Sequence, residues 1–195
     1  KDGTTYADGQ FRAEFSEIFH GSKKYDASGS DRIQIDIVDE NDDQIDYRKF
    51  RTAWQNDNGK DRFRVIPLKM LEDGKKTEAK MQIPVIYLGL SRLFPIGEAN
   101  EDKITTKKIK FIDDEQKQWF VEQYTQILSL YDTVTDVSNY SIGETDKKKG
   151  VGIETDKYDY LTNSSGQDNL GQILMAILSF KRLKKQREEW TGGLL

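Results

Sequence analysis

The chain has 195 residues, 35% hydrophobic and 33% charged, a composition that predicts one polar globular domain. Its 30 basic and 34 acidic residues are interspersed and give a net charge of −4, which predicts no overall electrostatic attraction to nucleic acid. The absence of cysteine excludes disulfides and cysteine-ligated zinc, and a single histidine, His20, excludes multi-histidine metal sites and disfavours a Ser-His-Asp triad.

The sequence also disfavours membrane insertion and secretion. No apolar run approaches the roughly eighteen residues that cross a bilayer, and no secretory signal opens the chain. With the lack of cysteine, this predicts a cytoplasmic protein without a membrane partner.

The first half of the chain predicts a meander of antiparallel strands. Residues 32–38 alternate, with three isoleucines on one face, as a half-buried strand does. An acidic turn at 39–43 leads to a second strand at 45–50, and a turn at 56–59 leads to a third at 63–67.

A continuous apolar run at 83–90 predicts a strand buried on both faces. It opens into residues 91–98, so Arg92 follows a buried strand end. There Arg92 has two readings: it contacts a phosphate or an opposing subunit, or it forms a salt bridge with Glu98.

The second half of the chain predicts helices. Asp113, with Gln116 three residues later, predicts a capping box. A helical apolar stripe follows it, made of Phe120, Tyr124, Ile127, Leu128 and Tyr131. The polar region after Tyr131 contains a predicted hairpin tip at 147–150 and short arms at 151–153 and 158–160.

A cluster of small polar residues, 163–167, precedes the clearest helix; we call it the Ser-Ser-Gly cluster. The simplest function of such residues is to cap the helix. However, two hydroxyls beside Gly166 also allow close approach of a ligand to backbone N–H groups at the positive end of the helix dipole, which is an anion site. The apolar stripe of this helix is Leu170, Ile173, Leu174, Ile177 and Leu178.

The end of the same helix is basic. Five cations, which complement the negative end of the helix dipole, follow the apolar stripe: Lys181, Arg182, Lys184, Lys185 and Arg187. A solvated helix end and a nucleic-acid contact are both open readings of this basic end.

Residues 163–167 and the apolar helix after them resemble the signature motif of ABC-type ATPases, particularly the SMC, RecF and OLD-like branch. Ser164 matches the signature serine, and Ser165 and Gly166 match the two small residues after it. Asn163 stands where the family usually has Leu. The absence of a long heptad pattern favours the compact RecF or OLD-like members.

Two further segments are similar to this family. Residues 91–98, which follow Leu90, resemble the Leu-Ser-Arg-Leu-x-Pro segment that leaves the first lobe in bacterial AAA-type ATPases of this branch. Residues 192–195 are similar to the start of its Walker B strand, which would place the acidic pair of that motif beyond Leu195.

The resemblance implies a composite site that binds ATP and Mg²⁺ between two ATPase subunits, in a homodimer or a higher oligomer. Ser164, Ser165, Gly166 and Gln167 would contact the γ-phosphate of ATP held by the partner subunit, and Arg92 would add to this site. DNA is a further expected partner, and DNA repair or antiphage defence an expected role.

The chain lacks the P-loop, G-x-x-x-x-G-K-[ST], that such an ATPase needs. The pairs Gly59-Lys60 and Gly74-Lys75 have neither the first Gly nor the Ser or Thr of that motif. The sequence starts at Lys1 without Met and stops in an apolar run. It is therefore expected to be a fragment of an ATPase that hydrolyses ATP only as the full-length protein.

The predicted fold is α+β within the α/β class: an antiparallel strand meander followed by helices, as part of an ABC-ATPase-like P-loop NTPase head. Residues 1–195 would form one partial head domain, with a strand-rich lobe at 1–90 and a helical lobe carrying the signature motif at 91–195. The competing hypothesis is a protein-interaction or DNA-binding module without enzymatic activity.

Overall fold

A computed structural model describes residues 4–7, 9–11, 13, 18–79, 84–99, 103–143 and 148–186. They form a mixed fold of two antiparallel sheets and two long helices, which confirms the α+β prediction at this level. The chain divides into two compact units, one of residues 13–84 and one of residues 1–12 together with 85–195. Predictions at Ile83, Lys147 and 191–195 lie outside the described residues.

The unit of residues 13–84, here called the sheet unit, contains one antiparallel sheet in chain order. Its strands are β1 (Gly29–Val38), β2 (Gln44–Asp57), β3 (Lys60–Met70) and β4 (Lys76–Thr77). The predicted turn between β2 and β3 forms at Asn58-Gly59, where both residues have positive φ (52° and 79°), as tight hairpins require. Trp54 and Phe63 face each other across this hairpin, with ring centroids 5.2 Å apart.

The apolar face predicted for β1 is largely exposed. Ile33 is 59% exposed and Ile35 is 47% exposed, although the alternation predicted that they face a core. The physical reason is the layering: both long helices belong to the other unit, so the described part of the sheet unit places no helix on this face.

The second unit, here called the helical unit, has two layers. Its sheet consists of β5 (Ile104–Lys108), β6 (Val134–Ile142) and β7 (Lys148–Thr155), and its helices are α1 (Asp114–Leu128) and α2 (Ser165–Gln186). Short 3₁₀ turns lie at Leu90–Leu93, Ile96–Glu98 and Tyr160–Thr162. The helices and the sheet enclose a core in which Phe120, Tyr124, Ile153 and Leu178 are fully buried.

The helix α1 begins where the sequence predicts, but with half of the predicted capping box. Asp113 Oδ1 accepts from the N–H of Gln116 at 2.8 Å, whereas Gln116 Oε1 accepts from the hydroxyl of Tyr6 at 2.5 Å. The helix ends before Ser129, which has φ 52°. Tyr131 therefore lies beyond the helix and is fully exposed instead of continuing the apolar stripe.

The buried face of α2 is rotated from the predicted stripe. Within that stripe, Ile173 and Ile177 are only partly buried. The most buried residues of this part of the helix include Leu178, which belongs to the stripe, and Met175 and Ser179, which do not. Neither long helix of the described residues is long and apolar enough to cross a membrane.

The predicted buried strand at 83–90 does not form in its described part. Residues 84–89 have no regular secondary structure, and Val85 and Tyr87 are 43% and 41% exposed. The N–H of Val85 donates to the carbonyl of Phe11 at 3.3 Å, but the described residues give this segment no partner strand. Hydrophobicity alone predicted burial, but a strand also needs a neighbour for its backbone.

Candidate functional site

The start of α2 is capped reciprocally by the Ser-Ser-Gly cluster. Ser164 Oγ accepts from the N–H of Gln167 at 3.3 Å, and Gln167 Oε1 accepts from the N–H of Ser164 at 2.7 Å. Gln167 Nε2 also donates to the hydroxyl of Tyr158 at 3.0 Å. The plain capping role of these residues is therefore present, as a capping box that the sequence analysis did not assign here.

The same cluster leaves backbone donors accessible. Ser164 and Gly166 are exposed. Apart from its chain neighbours and the backbone of its own helix, a Cβ placed on Gly166 would meet only Ser164 Oγ, at 3.8 Å, among the described residues. The N–H groups of Ser165 and Gly166 have no hydrogen-bond partner in the described part of the chain, as expected for a first helical turn. The first turn of α2 therefore offers two backbone donors to an anion.

Asp168, the residue after the cluster, is completely buried. Its Oδ2 accepts from the N–H of Ile96 at 3.0 Å, and its Oδ1 has no hydrogen-bond partner among the described residues. Burial raises the pKa of Asp168 to about 6, although the Ile96 N–H and the side chain of Asn163 oppose that rise. A buried carboxyl group with a raised pKa thus belongs to the first turn of α2.

The charge of Asp168 acts on two buried tyrosines, Tyr124 and Tyr140. Burial raises the pKa of Tyr124 and of Tyr140, and the charge of Asp168 raises both further, so both hydroxyls stay neutral at ordinary pH. The hydroxyl of Tyr124 and Oδ1 of Asn163 are buried without a hydrogen-bond partner among the described residues. Asn163 Nδ2 donates to the carbonyl of Ile153 at 3.2 Å.

The structure brings Arg92 to the first turns of α2. Its Nε donates to Asn169 Oδ1 at 2.7 Å, and its Nη1 donates to the carbonyl of Gly89 at 3.0 Å and to that of Leu88. The alternative salt bridge with Glu98 does not form in the described residues. Arg92 and the Ser-Ser-Gly cluster, which are distant in sequence, therefore belong to one region.

The basic end of α2 is partly engaged in ring contacts. Lys181 Nζ lies 3.7 Å from the ring centroid of Trp119, and the guanidinium of Arg182 lies 5.0 Å from that of Tyr6. Lys184 is exposed and lines, with Lys181 and Trp119, an open groove of about 720 Å³ between α1 and α2. The side chain of Lys185 and all of Arg187 lie outside the described residues.

Metal coordination has no support in the described part of the chain, which contains no group of three or more His, Asp or Glu residues that could hold a metal ion.

No protein-family model, curated protein or solved structure matches the chain.

Sequence reasoning missed the buried role of Asp168. An acidic residue in the first helical turn ordinarily indicates an exposed group that complements the dipole. Asp168 shares one face of α2 with Met175, seven residues later, but the predicted apolar stripe did not include that face, so no sequence pattern marked Asp168 as buried.

Proposed function

We propose that this chain supplies the signature half of a composite ATP site in an ABC-type, RecF/OLD-like ATPase head. The observation that carries the proposal is the start of α2, where the N–H groups of Ser165 and Gly166 have no partner in the described residues and the surface above Gly166 is open. In this function the cluster contacts the γ-phosphate of an ATP molecule bound to a partner subunit.

The capping geometry is compatible with that contact. Because Ser164 Oγ accepts from the N–H of Gln167, its own proton is free to donate to a phosphate oxygen. The N–H groups of Ser165 and Gly166 donate to the same phosphate, and the dipole of the 22-residue helix stabilises its charge. The guanidinium of Arg92, held beside Asn169, adds positive charge to this region.

The remaining parts of the proposed site come from outside these 195 residues. The sequence contains no G-x-x-x-x-G-K-[ST], so a P-loop in another segment or subunit would bind ATP and Mg²⁺. A Walker B glutamate, also from outside, would support hydrolysis. The chain would thus act in a cytoplasmic homodimer or higher oligomer that hydrolyses ATP only as a complete protein. A role in DNA repair or antiphage defence follows only by analogy with the family.

The test is a Ser164→Arg substitution in the protein that contains this chain together with its P-loop. The long cation fills the position of the γ-phosphate, so ATP-dependent association of subunits should be lost while ATP binding to the P-loop is retained. Light scattering with a non-hydrolysable ATP analogue measures association, and fluorescence of a labelled nucleotide measures binding.

The matched control is Thr106→Arg, which adds the same side chain at an exposed position of β5 and should leave association unchanged. Persistent ATP-dependent association in the Ser164→Arg variant contradicts the proposal. So does the absence of a P-loop from both the full-length protein and its partners.

A DNA-binding or protein-interaction module without enzymatic activity is the second candidate. The groove beside Trp119 favours it. Because Glu115 and Glu122 line this groove together with its lysines, the mixed charge suits a protein partner better than nucleic acid. It ranks second because Lys181 and Arg182 already contact aromatic rings of the same unit.

A further inference from the structure

Three contacts fasten the segment 92–97 to the residues around the start of α2. Arg92 Nε donates to Asn169 Oδ1 at 2.7 Å, and the N–H of Ile96 donates to Asp168 Oδ2 at 3.0 Å. Gly97 lies so close to Leu161 that a Cβ on Gly97 would come within 2.0 Å of the Leu161 carbonyl oxygen. These contacts flank the Ser-Ser-Gly cluster on both sides.

The central contact is the buried one. Ile96 and Asp168 are both 0% exposed, so their hydrogen bond is shielded from water and from screening by salt. Asp168 is also the residue that follows Gln167, the reciprocal partner of Ser164 in the capping box. A shift of the Asp168 side chain would therefore move the donors that precede it in the first turn.

The carboxyl group of Asp168 has no cation as a partner in the part of the chain that the structure describes. Among the described residues no Lys, Arg or His forms an ion pair with it, and the groups that face it are Tyr124 from α1, Tyr140 from β6 and Asn163 from the preceding loop. Arg92, the cation of this region, bonds to the neighbouring Asn169 and to carbonyl groups instead. Within the described ranges, the ionised carboxylate is thus a negative charge without a cationic partner in the first turn of α2.

We propose that Asp168 is a positioning residue of this site: its carboxyl group fixes the Ile96 turn against α2 and, by gaining or losing a proton, tunes how strongly the Ser165 and Gly166 N–H groups bind an anion. The neutral carboxyl removes a negative charge from beside the anion, so affinity rises as the group is protonated. For two charges several ångströms apart near a surface, the effect is about tenfold in affinity. The consequence for ATP rests on the proposed function, but the positioning does not.

The first experiment uses the 195-residue chain and no nucleotide. Between pH 4.5 and 8, the backbone amide signals of Ile96, Ser165 and Gly166 should titrate in NMR spectra with the same midpoint as the side-chain carboxyl carbon of Asp168. Asp168→Asn should abolish these shifts while keeping the acceptor for the Ile96 N–H. Glu98→Gln, an exposed carboxylate of the same turn, is the matched control and should leave them unchanged.

Amide signals that do not follow the carboxyl carbon in the unmodified chain overturn the proposal, and this outcome needs no folded variant. Titration that persists in Asp168→Asn overturns it as well. Slow hydrogen exchange of the Ile96 amide should survive in Asp168→Asn and be lost in Asp168→Ala, which removes the acceptor. Equal protection in both variants means that Asp168 does not fix the turn.

The second experiment adds an anion whose own charge is constant over this pH range. The affinity for sulfate, measured from the Ser165 and Gly166 amide signals, should be about ten times higher at pH 5 than at pH 7.5. In Asp168→Asn it should be equal at both pH values. Equal sulfate affinity at both pH values in the unmodified chain overturns the tuning. A complete ATPase that shows no ATP-dependent association contradicts the proposed function alone, since the amide titration and the sulfate affinity are measured without ATP.

Discussion

The two compact units bury their side chains in different ways. In the helical unit, α1 and α2 cover the β5–β7 sheet, and Ile153 on β7 is 0% exposed. In the sheet unit, Ile33 on β1 is 59% exposed although its backbone pairs with Phe50 of β2. Strand alternation therefore marks a face and not a core, because a face is buried only where a second layer lies on it.

The two units also shift the pKa of a carboxyl group in opposite directions. In the sheet unit, hydrogen bonds from Lys69 and then from Arg48 lower the pKa of Asp46 to about 2. In the helical unit, burial raises the pKa of Asp168 to about 6. The sheet stabilises a charge with partners, whereas the start of α2 holds a group for which the charge is unfavourable.

The largest expected effect is on the free energy of unfolding, and a matched pair of isoleucine truncations tests it. Ile153→Ala leaves a cavity in the helical core and should lower the free energy of unfolding by about 2 to 5 kcal/mol. Ile33→Ala removes an exposed strand side chain and should lower it by less than about 1 kcal/mol. Urea denaturation of both variants, followed by amide signals of each unit, measures the difference.

Equal losses for the two variants would break the comparison. A large loss for Ile33→Ala would show that a further layer covers the β1 face in solution. A small loss for Ile153→Ala would show that the helical core relaxes around the missing atoms.

Local sequence patterns predicted what depends on near neighbours. The Asn58-Gly59 turn, the start of α1 at Asp113 and the start of α2 after Ser164 all appear at their predicted places. Each depends on backbone geometry or on capping by a side chain within three residues.

Features that depend on distant partners were not predictable in this way. The strand β5, Ile-Thr-Thr-Lys-Lys, has four exposed residues and no clear alternation, so only its pairing with β6 reveals it. The contacts of Arg92 with Asn169 and of Asp168 with Ile96 join segments more than seventy residues apart. No pattern within one segment specifies such a pair.

The next expected effect is a change in how stability depends on pH in the helical unit. The folded pKa of Asp168, about 6, is above its ordinary value of 3.8, so its contribution to stability is present below about pH 4 and is lost as the pH rises to 6. The loss is at most about 3 kcal/mol. Asp168→Asn should remove this pH dependence of the free energy of unfolding, and the variant should be more stable than the unmodified chain above pH 6.

Urea denaturation at pH steps from 4 to 7.5, followed through amide signals of α1, measures this dependence. Glu98→Gln serves again as the control and should keep the pH dependence of the unmodified chain. If the Asp168→Asn variant keeps it too, the buried carboxyl group does not titrate in this range.

The smallest expected effect concerns Asp46 and has the opposite sign. The folded pKa of Asp46, about 2, is below its ordinary value of 3.8. Its contribution to stability is therefore present above about pH 4 and is lost as the pH falls towards 2. Asp46→Asn should therefore weaken the sheet unit at pH 7 and reduce its sensitivity to acid, as measured by hydrogen exchange in β2 and β3.

Glu72→Gln, which removes an exposed carboxylate of the same unit, should change neither the stability of the sheet unit nor its sensitivity to acid. The effect is small because Asp46 keeps 26% of its side chain exposed, so water already screens the pairs that Asp46→Asn removes. If Asp46→Asn instead exceeded Asp168→Asn in effect, paired charges of the sheet unit would matter more to stability than the buried carboxyl group of the helical unit.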